Sequence, residues 1–467
     1  MLRPSRRPPR LLLAVIGLTV GLVAAGLLSV PRVAQVAPEG EATGVPASPS
    51  ISITFSQPMR ADTVEGRFHA DPERPGTFRW DGSEMTFAPL QPWAEGERVT
   101  VLLEGGALST RGLPTFGATT WSFTIGAGRL GYVWPANQAA GLYLWSPATD
   151  EALTLLEAER GVTDFNLTRD GSAVVYSTST ASGSEIRGLR LSDGVDQLLQ
   201  RCTTGTICRS ASLSPDGALL AFLQEEPQSD GLTLRRVWVK PLAGGEPYLV
   251  APDDHATSHP VWSSQGWLAI YDGALRGYAL YREVAADQAQ LAFVIPNELG
   301  EAPTWSPDGE NLVFATMLFL PEIPRTEVPG EAEPPKYYSH LNRVSIVDGR
   351  QIDLSGEEAF LVEDTGAAYS PDGGWIAFSR RYLDPSRWTL GRQLWLMRAD
   401  GTEPISLTSQ PALNHAGLAW SPDGSRLAYM LFDQARASEP SEIWWMWSDG
   451  RPGERIVTGG YAPEWIP

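Results

Sequence analysis

The sequence is poor in cysteine, lysine and histidine. It has two Cys, two Lys and five His among 467 residues. Two cysteines exclude a disulfide-rich scaffold, and they leave a four-ligand zinc site without enough partners. The chain also lacks the G-x-S-x-G, H-E-x-x-H and P-loop motifs. We therefore expect no metal, no cofactor and no catalytic residue, although abundant carboxylates keep a carboxylate-based hydrolase open as an alternative.

Basic residues are also scarce. Lys and Arg total 36 against 55 Asp and Glu, which gives a net charge of −19. The first 32 residues hold five Arg and no acid, so the rest of the chain carries 31 basic residues against 55 acidic ones. A polyanion without a basic stripe repels phosphate backbones, and this excludes nucleic acid as an expected partner.

One long uncharged run stands at the start of the chain. Residues 11–30 contain no charged side chain, and twenty residues of helix span about 30 Å, enough to cross a bilayer. Four Arg in residues 1–10 predict a cytoplasmic N-terminus, with residues 31–467 outside the cytoplasm. The alternative is a signal peptide that is cleaved before secretion. Residues 31–45 are predicted to be a linker.

The two cysteines agree with export. Cys202 and Cys208 are six residues apart in the segment QRCTTGTICRS. A local disulfide is the expected state of such a pair in an oxidising compartment.

Residues 46–125 have the pattern of a small β-sandwich. Apolar and polar residues alternate in short stretches such as ISITF (51–55), with Gly, Pro and Asp between them. The segments ISITFSQPM, MTFAPLQPWAEGERVTVLL and TTWSFTIG resemble bacterial Ig-like domains of the surface-layer (SbsA) type. This resemblance implies a spacer or adhesive module in an exported protein.

Residues 126–467 contain a repeat. Four copies share one template: LSPDGALLAF, WSPDGENLVF, YSPDGGWIAF and WSPDGSRLAY. With two weaker copies, the shared glycines are spaced by 46, 49, 43, 64 and 51 residues. Repeats of this length with short strands predict a β-propeller, in which each Ser-Pro-Asp-Gly segment forms a tight turn with the Gly in left-handed conformation.

The two ends of the array are complementary. The final segment YAPEWIP supplies a first strand without a following hairpin, and residues 129–156 supply three strands without a first. Their pairing would close the ring and leave no open sheet edge. The full prediction is therefore an all-β chain, in which a transmembrane helix precedes an Ig-like sandwich and a seven-bladed propeller. Six blades is the alternative.

The repeat is similar to that of TolB-type (WD-like) propellers of exported bacterial proteins. The resemblance covers residues 126–467 and implies the fold. It implies no particular function, because this repeat also precedes peptidase domains and occurs in lyases. TolB proteins carry a small α/β domain before the propeller, whereas this chain has an Ig-like segment.

Strand polarity separates two faces of the propeller. The uniform Ser-Pro-Asp-Gly turns lie on one, and the variable loops lie on the other, which we call the irregular rim. The variable loops include 223–230, 252–259, an acidic, Pro-rich insertion at 320–340, and 379–392. The candidate binding residues on this rim are Arg380, Arg381, Trp388, His255 and His259.

These residues predict a binding surface. Arginines beside a tryptophan suit a carboxylate or a glycan. His255 and His259 have the spacing of a helical metal pair, but they lie in a Pro-bounded loop, so solvated or capping roles are expected. The predicted function is a non-catalytic, membrane-anchored binding or scaffold protein for an envelope protein, peptide or polysaccharide. The alternatives are a glycan-active lyase or hydrolase using His255, His259, His415 and Arg380/Arg381, or a structural surface-layer component.

Overall fold

The computed structural model describes residues 30–136, 139–157, 161–168, 171–282, 284, 289–319, 337–356, 361–384, 386–436 and 438–466. Residues 1–10, nearly all of the predicted transmembrane segment 11–30, and 320–336 of the insertion lie outside this description. Within it, no helix has the length and apolar character needed to cross a membrane. The chain divides into two compact units. The first holds Pro49–Pro89, Gly96–Ile125 and the stretch up to Val45, and the second holds Pro46–Ser48, Leu90–Glu95 and Gly126–Pro467.

The first unit has two antiparallel sheets and one short helix, α1 (Ala61–Glu65). Its strands are β1 (Val33–Ala37), β2 (Ile51–Phe55), β3 (Phe68–Asp71), β4 (Gly76–Asp81), β5 (Glu84–Pro89), β6 (Arg98–Leu103) and β7 (Thr119–Thr124). One sheet has the order β1-β2-β5-β4 and the other β3-β6-β7. Ile51, Ile53 and Phe55 are buried, and the Phe68 ring of one sheet packs 4.9 Å from the Phe87 ring of the other. The predicted alternation thus builds a sandwich core.

Residues 31–45 differ from the predicted linker. Strand β1 pairs antiparallel with β2, with Ala37 opposite Ser52 and Val36 opposite Ile53. A five-residue strand between prolines shows too little alternation to be recognised in the sequence. Its pairing covers the edge that β2 would otherwise expose.

The second unit contains strands β8–β35. In chain order they are β8 (Arg129–Trp134), β9 (Gly141–Ser146), β10 (Glu151–Leu156), β11 (Val162–Leu167), β12 (Ala173–Ser179), β13 (Ser184–Arg190), β14 (Asp196–Arg201), β15 (Ile207–Leu213), β16 (Leu219–Pro227), β17 (Thr233–Pro241), β18 (Tyr248–Leu249), β19 (Thr257–Trp262), β20 (Leu268–Asp272), β21 (Gly277–Arg282), β22 (Gln290–Pro296), β23 (Thr304–Trp305), β24 (Asn311–Phe319), β25 (Tyr337–Ser345), β26 (Gln351–Asp353), β27 (Val362–Tyr369), β28 (Trp375–Tyr382), β29 (Gln393–Arg398), β30 (Ile405–Ser406), β31 (Leu413–Trp420), β32 (Arg426–Asp433), β33 (Glu442–Trp447), β34 (Arg455–Thr458) and β35 (Tyr461–Ile466). A 3₁₀ turn at Gln434–Arg436 lies between β32 and β33.

These strands form consecutive antiparallel sets of four. The sets are β11–β14, β15–β18, β19–β22, β23–β26, β27–β30, β31–β34, and a closing set in the order β10-β9-β8-β35. A single parallel bridge, between Ser339 and Glu363, links the β23–β26 set to the β27–β30 set. In the closing set the last strand pairs with β8, with Trp465 opposite Leu130, which confirms the predicted joining of the two ends. This is the architecture of a β-propeller.

The Ser-Pro-Asp-Gly turns repeat one hydrogen-bond pattern. The Ser hydroxyl donates to the Asp carboxylate two residues later, at 2.5 Å in the turn of Ser370 and Asp372, and accepts the amide that starts the next strand. The same bonds recur at Ser214, Ser306 and Ser421. The four turn glycines have φ between 67° and 75°, as the sequence predicts. Four of the sheets therefore carry the same locally determined turn at this face.

Aromatic residues before these turns join neighbouring sheets. The indole N–H of Trp305 donates to the Val261 carbonyl at 3.2 Å, and that of Trp420 donates to the Ala368 carbonyl at 3.0 Å. Each bond runs from the innermost strand of one sheet to that of the sheet before it. The repeated tryptophan therefore buries apolar area and also fixes the distance between sheets.

Candidate functional site

The first predicted site residue, Arg380, is held in an ion pair. It lies directly opposite Asp364 in the β27–β28 pairing. Its Nε and Nη2 atoms donate to the two carboxylate oxygens of Asp364 at 2.7 and 2.6 Å. Arg380 is 4% exposed and Asp364 is fully buried. Burial acts to lower the pKa of Arg380, but the bond and charge of Asp364 outweigh it and keep the pKa above its ordinary value.

Arg381 and Arg392 share one carboxylate. Glu363 lies opposite Arg381, and its Oε2 atom is 2.5 Å from Arg381 Nη2 and 2.7 Å from Arg392 Nη2. Glu363 is buried, whereas both arginines keep part of their side chains exposed. The buried Nε atom of Arg392 has no hydrogen-bond partner among the described residues. Two guanidinium groups thus meet a single buried carboxylate at the irregular rim.

Trp388 lies on the loop between β28 and β29, in which the Leu390 carbonyl accepts Arg381 Nη1 at 3.4 Å. Trp388 is 54% exposed. The loop is held beside it by Arg387, whose side chain binds Asp384 at 2.7 Å and lies 4.1 Å over the Tyr382 ring. A large aromatic side chain that is exposed on a pinned loop is well placed for recognition, because little chain entropy is lost when it is covered.

His255 and His259 have separate surroundings. His255 Nδ1 is 2.7 Å from Asp272 Oδ2, and this fully buried carboxylate also accepts the amides of Ala274 and Leu275. The pair anchors the 252–259 loop to the end of β20. Across the described part of the chain, no group of three or more His, Cys, Asp or Glu is arranged to hold a metal ion.

His259 adopts a left-handed backbone conformation, with φ of 53°. Burial, and then the positive charges of Arg235 and Arg209, hold its pKa below the ordinary value, so the ring is neutral at pH 7. Both arginines bind the buried carboxylate of Glu225, Arg235 at 2.8 Å and Arg209 in a closer contact. This cluster lies on strands β15–β17 and β19, away from Asp272.

The conformation of His259 is part of a repeated feature. In five of the innermost strands, the residue four positions before the turn Ser (or before the residue that replaces it) has φ between 50° and 63°. The strand pairing shifts register beside each of these residues. These residues are Ser210, His259, Gly366, Gly417 and Ala462. Such β-bulges bend the strand and re-aim neighbouring side chains toward the rim.

His415 is fully buried in strand β31. Its Nδ1 atom is 2.9 Å from the Arg392 carbonyl, and its own carbonyl accepts the Ser379 hydroxyl at 2.6 Å. Burial lowers its pKa. The structure therefore places His415 against the Arg392 carbonyl and the Ser379 hydroxyl, while His255 and His259 contact other groups. The residues of the enzyme alternative do not share one set of contacts.

Cys202 and Cys208 form a disulfide. Their Cα atoms are 6.1 Å apart, on the connection between β14 and β15. Both residues are buried, and the Cys208 amide donates to the Ser184 hydroxyl at 2.6 Å. The bridge closes one blade-to-blade connection of the irregular rim.

Comparison with known proteins supports the Ig-like part of the fold. The Big_5 family, described as bacterial Ig-like domain, matches residues 29–125. The first unit is Ig-like. The match begins before residue 46, in agreement with the pairing of β1. No curated protein matches the sequence.

Solved structures resemble the chain at low identity. TolB from Acinetobacter baumannii is 15% identical with a TM-score of 0.43, covering 86% of this chain and 83% of its own. The β-propeller domain of the Trilobed protease from Pyrococcus furiosus is 11% identical with a TM-score of 0.45, covering 78% and 93%. An oligogalacturonate lyase from Vibrio parahaemolyticus is 17% identical with a TM-score of 0.41, covering 64% and 74%. With TM-scores below 0.5, none of these likenesses carries a functional argument.

Several residues of these clusters escape sequence reasoning. Asp364 and Glu363 stand 16 and 18 residues before the arginines they bind, and Asp272 is 17 residues after His255. The sequence does contain a pattern that could have identified Asp364 and Glu363. Neighbouring acids on one strand and neighbouring arginines on the next are the pattern of a cross-strand charge pair.

Proposed function

We propose that this chain is a non-catalytic binding or scaffold protein of the cell envelope. In this proposal residues 11–30 anchor it in the cytoplasmic membrane, the Ig-like unit is a spacer, and the second unit is a seven-bladed propeller outside the cytoplasm. The irregular rim around Trp388 binds a protein, peptide or envelope polymer. The Cys202–Cys208 disulfide supports the location, because disulfides persist in oxidising compartments.

One observation carries the binding proposal. Exposed Trp388 lies in the same loop as Leu390, whose carbonyl accepts Arg381 Nη1 at 3.4 Å, and Arg381 and Arg392 share the single carboxylate of Glu363. Trp and Arg are the residue types most enriched at the energetic centres of interfaces. Two partly exposed guanidinium groups beside one carboxylate leave a surplus positive charge that suits an acidic group, in a protein whose overall charge is −19. The expected ligand therefore presents carboxylates beside an apolar or sugar surface.

The test compares capture by three forms of the full chain in its native envelope. The wild type, Trp388→Ala and Phe116→Ala are purified after mild crosslinking, and the retained components are compared by mass spectrometry. Phe116 is 78% exposed on the Ig-like unit and serves as the matched control for loss of an exposed aromatic ring. We expect a component that the wild type and Phe116→Ala retain and that Trp388→Ala loses. Equal retention by all three forms would contradict the proposal.

A separate test addresses the anchor and the compartment. Protease added to spheroplasts of cells that make the wild-type chain should digest the Ig-like unit and the propeller while a short N-terminal fragment stays protected. Protection of the whole chain would contradict an extracytoplasmic propeller. Release of the chain from membranes by high salt alone would contradict the anchor.

A further inference from the structure

A cavity of ≈ 350 Å³ lies among the innermost strands of the second unit, at the face of the Ser-Pro-Asp-Gly turns. Four sheets in a row contribute equivalent residues to its wall. The residues two positions before the turn Ser, or its equivalent, are Thr304, Ala368, Ala419 and Glu464. Three of these side chains are small and uncharged, so space is left beside the fourth. This volume is in the range of small-molecule sites.

Among the described residues of the wall, only Glu464 carries a carboxyl group. The other wall residues are aromatic, proline, alanine, leucine, serine or threonine. The ionisable neighbour Tyr369 stays neutral, because burial raises its pKa further above the ordinary value. The Glu464 carboxyl accepts the backbone amide of Leu167 from the adjacent strand β11. Within the described part of the chain, no arginine or lysine forms an ion pair with it, although a carboxylate can accept several more hydrogen bonds.

We infer that this cavity binds the primary ammonium group of an organic ligand and that Glu464 is the carboxylate that receives it. Glu464 is partly withdrawn from water, a carboxylate in that position without a counter-charge is unfavourable, and a cation that enters from solvent reduces the cost. The aromatic and proline wall suits a ligand whose ammonium group is joined to an apolar chain. The site is on the opposite face from Trp388 and does not depend on the proposed function of the rim.

An organic cation fits this wall better than a metal ion. Mg²⁺ and Ca²⁺ take six or more oxygen ligands, usually from several carboxylates. The wall offers one carboxylate, and the described residues hold no group of His, Cys, Asp or Glu that is suited to a metal. A lysine side chain of a peptide and a free aliphatic amine present the same ammonium group, and the experiment distinguishes them.

The experiment measures binding by calorimetry at pH 8, where the Glu464 carboxyl is ionised. The probes are butylammonium, Nα-acetyl-lysine methylamide and the neutral analogues butanol and Nα,Nε-diacetyl-lysine methylamide. We expect at least one ammonium probe to bind, and its neutral analogue to bind about tenfold more weakly or not at all. Preference for the lysine derivative would identify a peptide ligand, and preference for butylammonium a free amine. Equal binding of charged and neutral probes, or no binding of either ammonium probe, would overturn the inference.

Two variants locate the site. Glu464→Gln keeps an acceptor for the Leu167 amide and removes the charge, so the affinity for the ammonium probe should fall about tenfold or more. Glu310→Gln removes one charge from an exposed position beside a turn on the same face and should leave the affinity unchanged. Unaltered affinity in Glu464→Gln would overturn the assignment. If that variant fails to fold, the comparison of charged and neutral probes on the wild type still decides the matter.

Discussion

Arg380 and Asp364 face each other across strands β27 and β28 and form a two-point ion pair with both side chains buried. The pair also holds its surroundings. Asp364 Oδ2 accepts the Ser355 hydroxyl at 2.6 Å, and the Asp364 carbonyl accepts the Ser339 hydroxyl at 3.1 Å. Two adjacent four-stranded sets are therefore joined at the irregular rim through one aspartate, below the loop that carries Trp388.

Removal of one partner of this pair should destabilise the second unit. Asp364→Ala leaves the Arg380 guanidinium buried without a counter-charge, and such changes cost about 3–5 kcal/mol. Urea denaturation followed by tryptophan fluorescence measures the loss. The control is Asp384→Ala, which removes the partner of half-exposed Arg387 and should cost less than about 1 kcal/mol. Equal losses in the two variants would contradict the account of the buried pair.

The stability of the second unit should depend on the ionisation of Glu464. Burial raises the pKa of Glu464 from 4.5 to about 7, so the folded chain binds this proton more tightly than the unfolded chain. The contribution is fully present below about pH 4.5 and is lost as the pH rises through about 7, by about 3 kcal/mol in total.

The measurement is the free energy of unfolding between pH 5 and pH 8. Glu464→Gln should remove most of the decline over this interval and should be the more stable form at pH 8. Glu310→Gln, at its exposed position, should keep the slope of the wild type. A wild-type slope that survives in Glu464→Gln would show that another group titrates.

The bulge of strand β27 should favour glycine. Gly366 has φ of 63°, and a methyl group added there would meet no atom within 4 Å. The effect of Gly366→Ala is therefore conformational and should be a loss of about 1 kcal/mol. The reverse change at the equivalent bulge, Ala462→Gly, starts from φ of 50° and should not destabilise the chain. Chemical denaturation measures both, and a neutral Gly366→Ala would contradict a conformational cost of the left-handed backbone at this position.

The disulfide should contribute modestly to stability. It closes a loop of six residues, and the chain-entropy estimate for so short a loop is about 2 kcal/mol. The double variant Cys202→Ser/Cys208→Ser should lose this amount in urea denaturation. A reducing agent should bring the wild type to the level of the double variant and leave the variant itself unchanged. A wild type indifferent to reduction would show that the pair is not bridged in solution.

Sequence reasoning captured the parts of the fold that depend on local chemistry. The hydroxyl and carboxylate of each Ser-Pro-Asp-Gly turn, together with a glycine in left-handed conformation, specify the hairpin without distant contacts. The closing strand was predictable because Trp465 matches the repeat while its hairpin is missing. Strand β1 was not, because its five residues gain their structure from β2.

The candidate site was predictable only in part, and the bulges are the reason. If the pairing of β27 with β28 continued from their connecting turn without a bulge, Asp364 would lie opposite Arg381. The extra residue at Gly366 shifts the register by one and places Asp364 opposite Arg380. The sequence thus indicated Arg380 and Arg381 as candidate binding residues, but the bulge determines that Arg380 is the buried one. The sequence also distinguishes Glu464, because it is an acidic residue at the repeat position that Thr304, Ala368 and Ala419 occupy in other copies.

The central claim is that the irregular rim around Trp388 binds an envelope component. Site-specific photocrosslinking in living cells tests it most directly, with p-benzoylphenylalanine placed at position 388 or at position 347. Val347 is 72% exposed on a turn of the opposite face and is the matched control. The account predicts a discrete crosslinked product at 388 and none at 347. The same products at both positions, or a product at 347 alone, would contradict it.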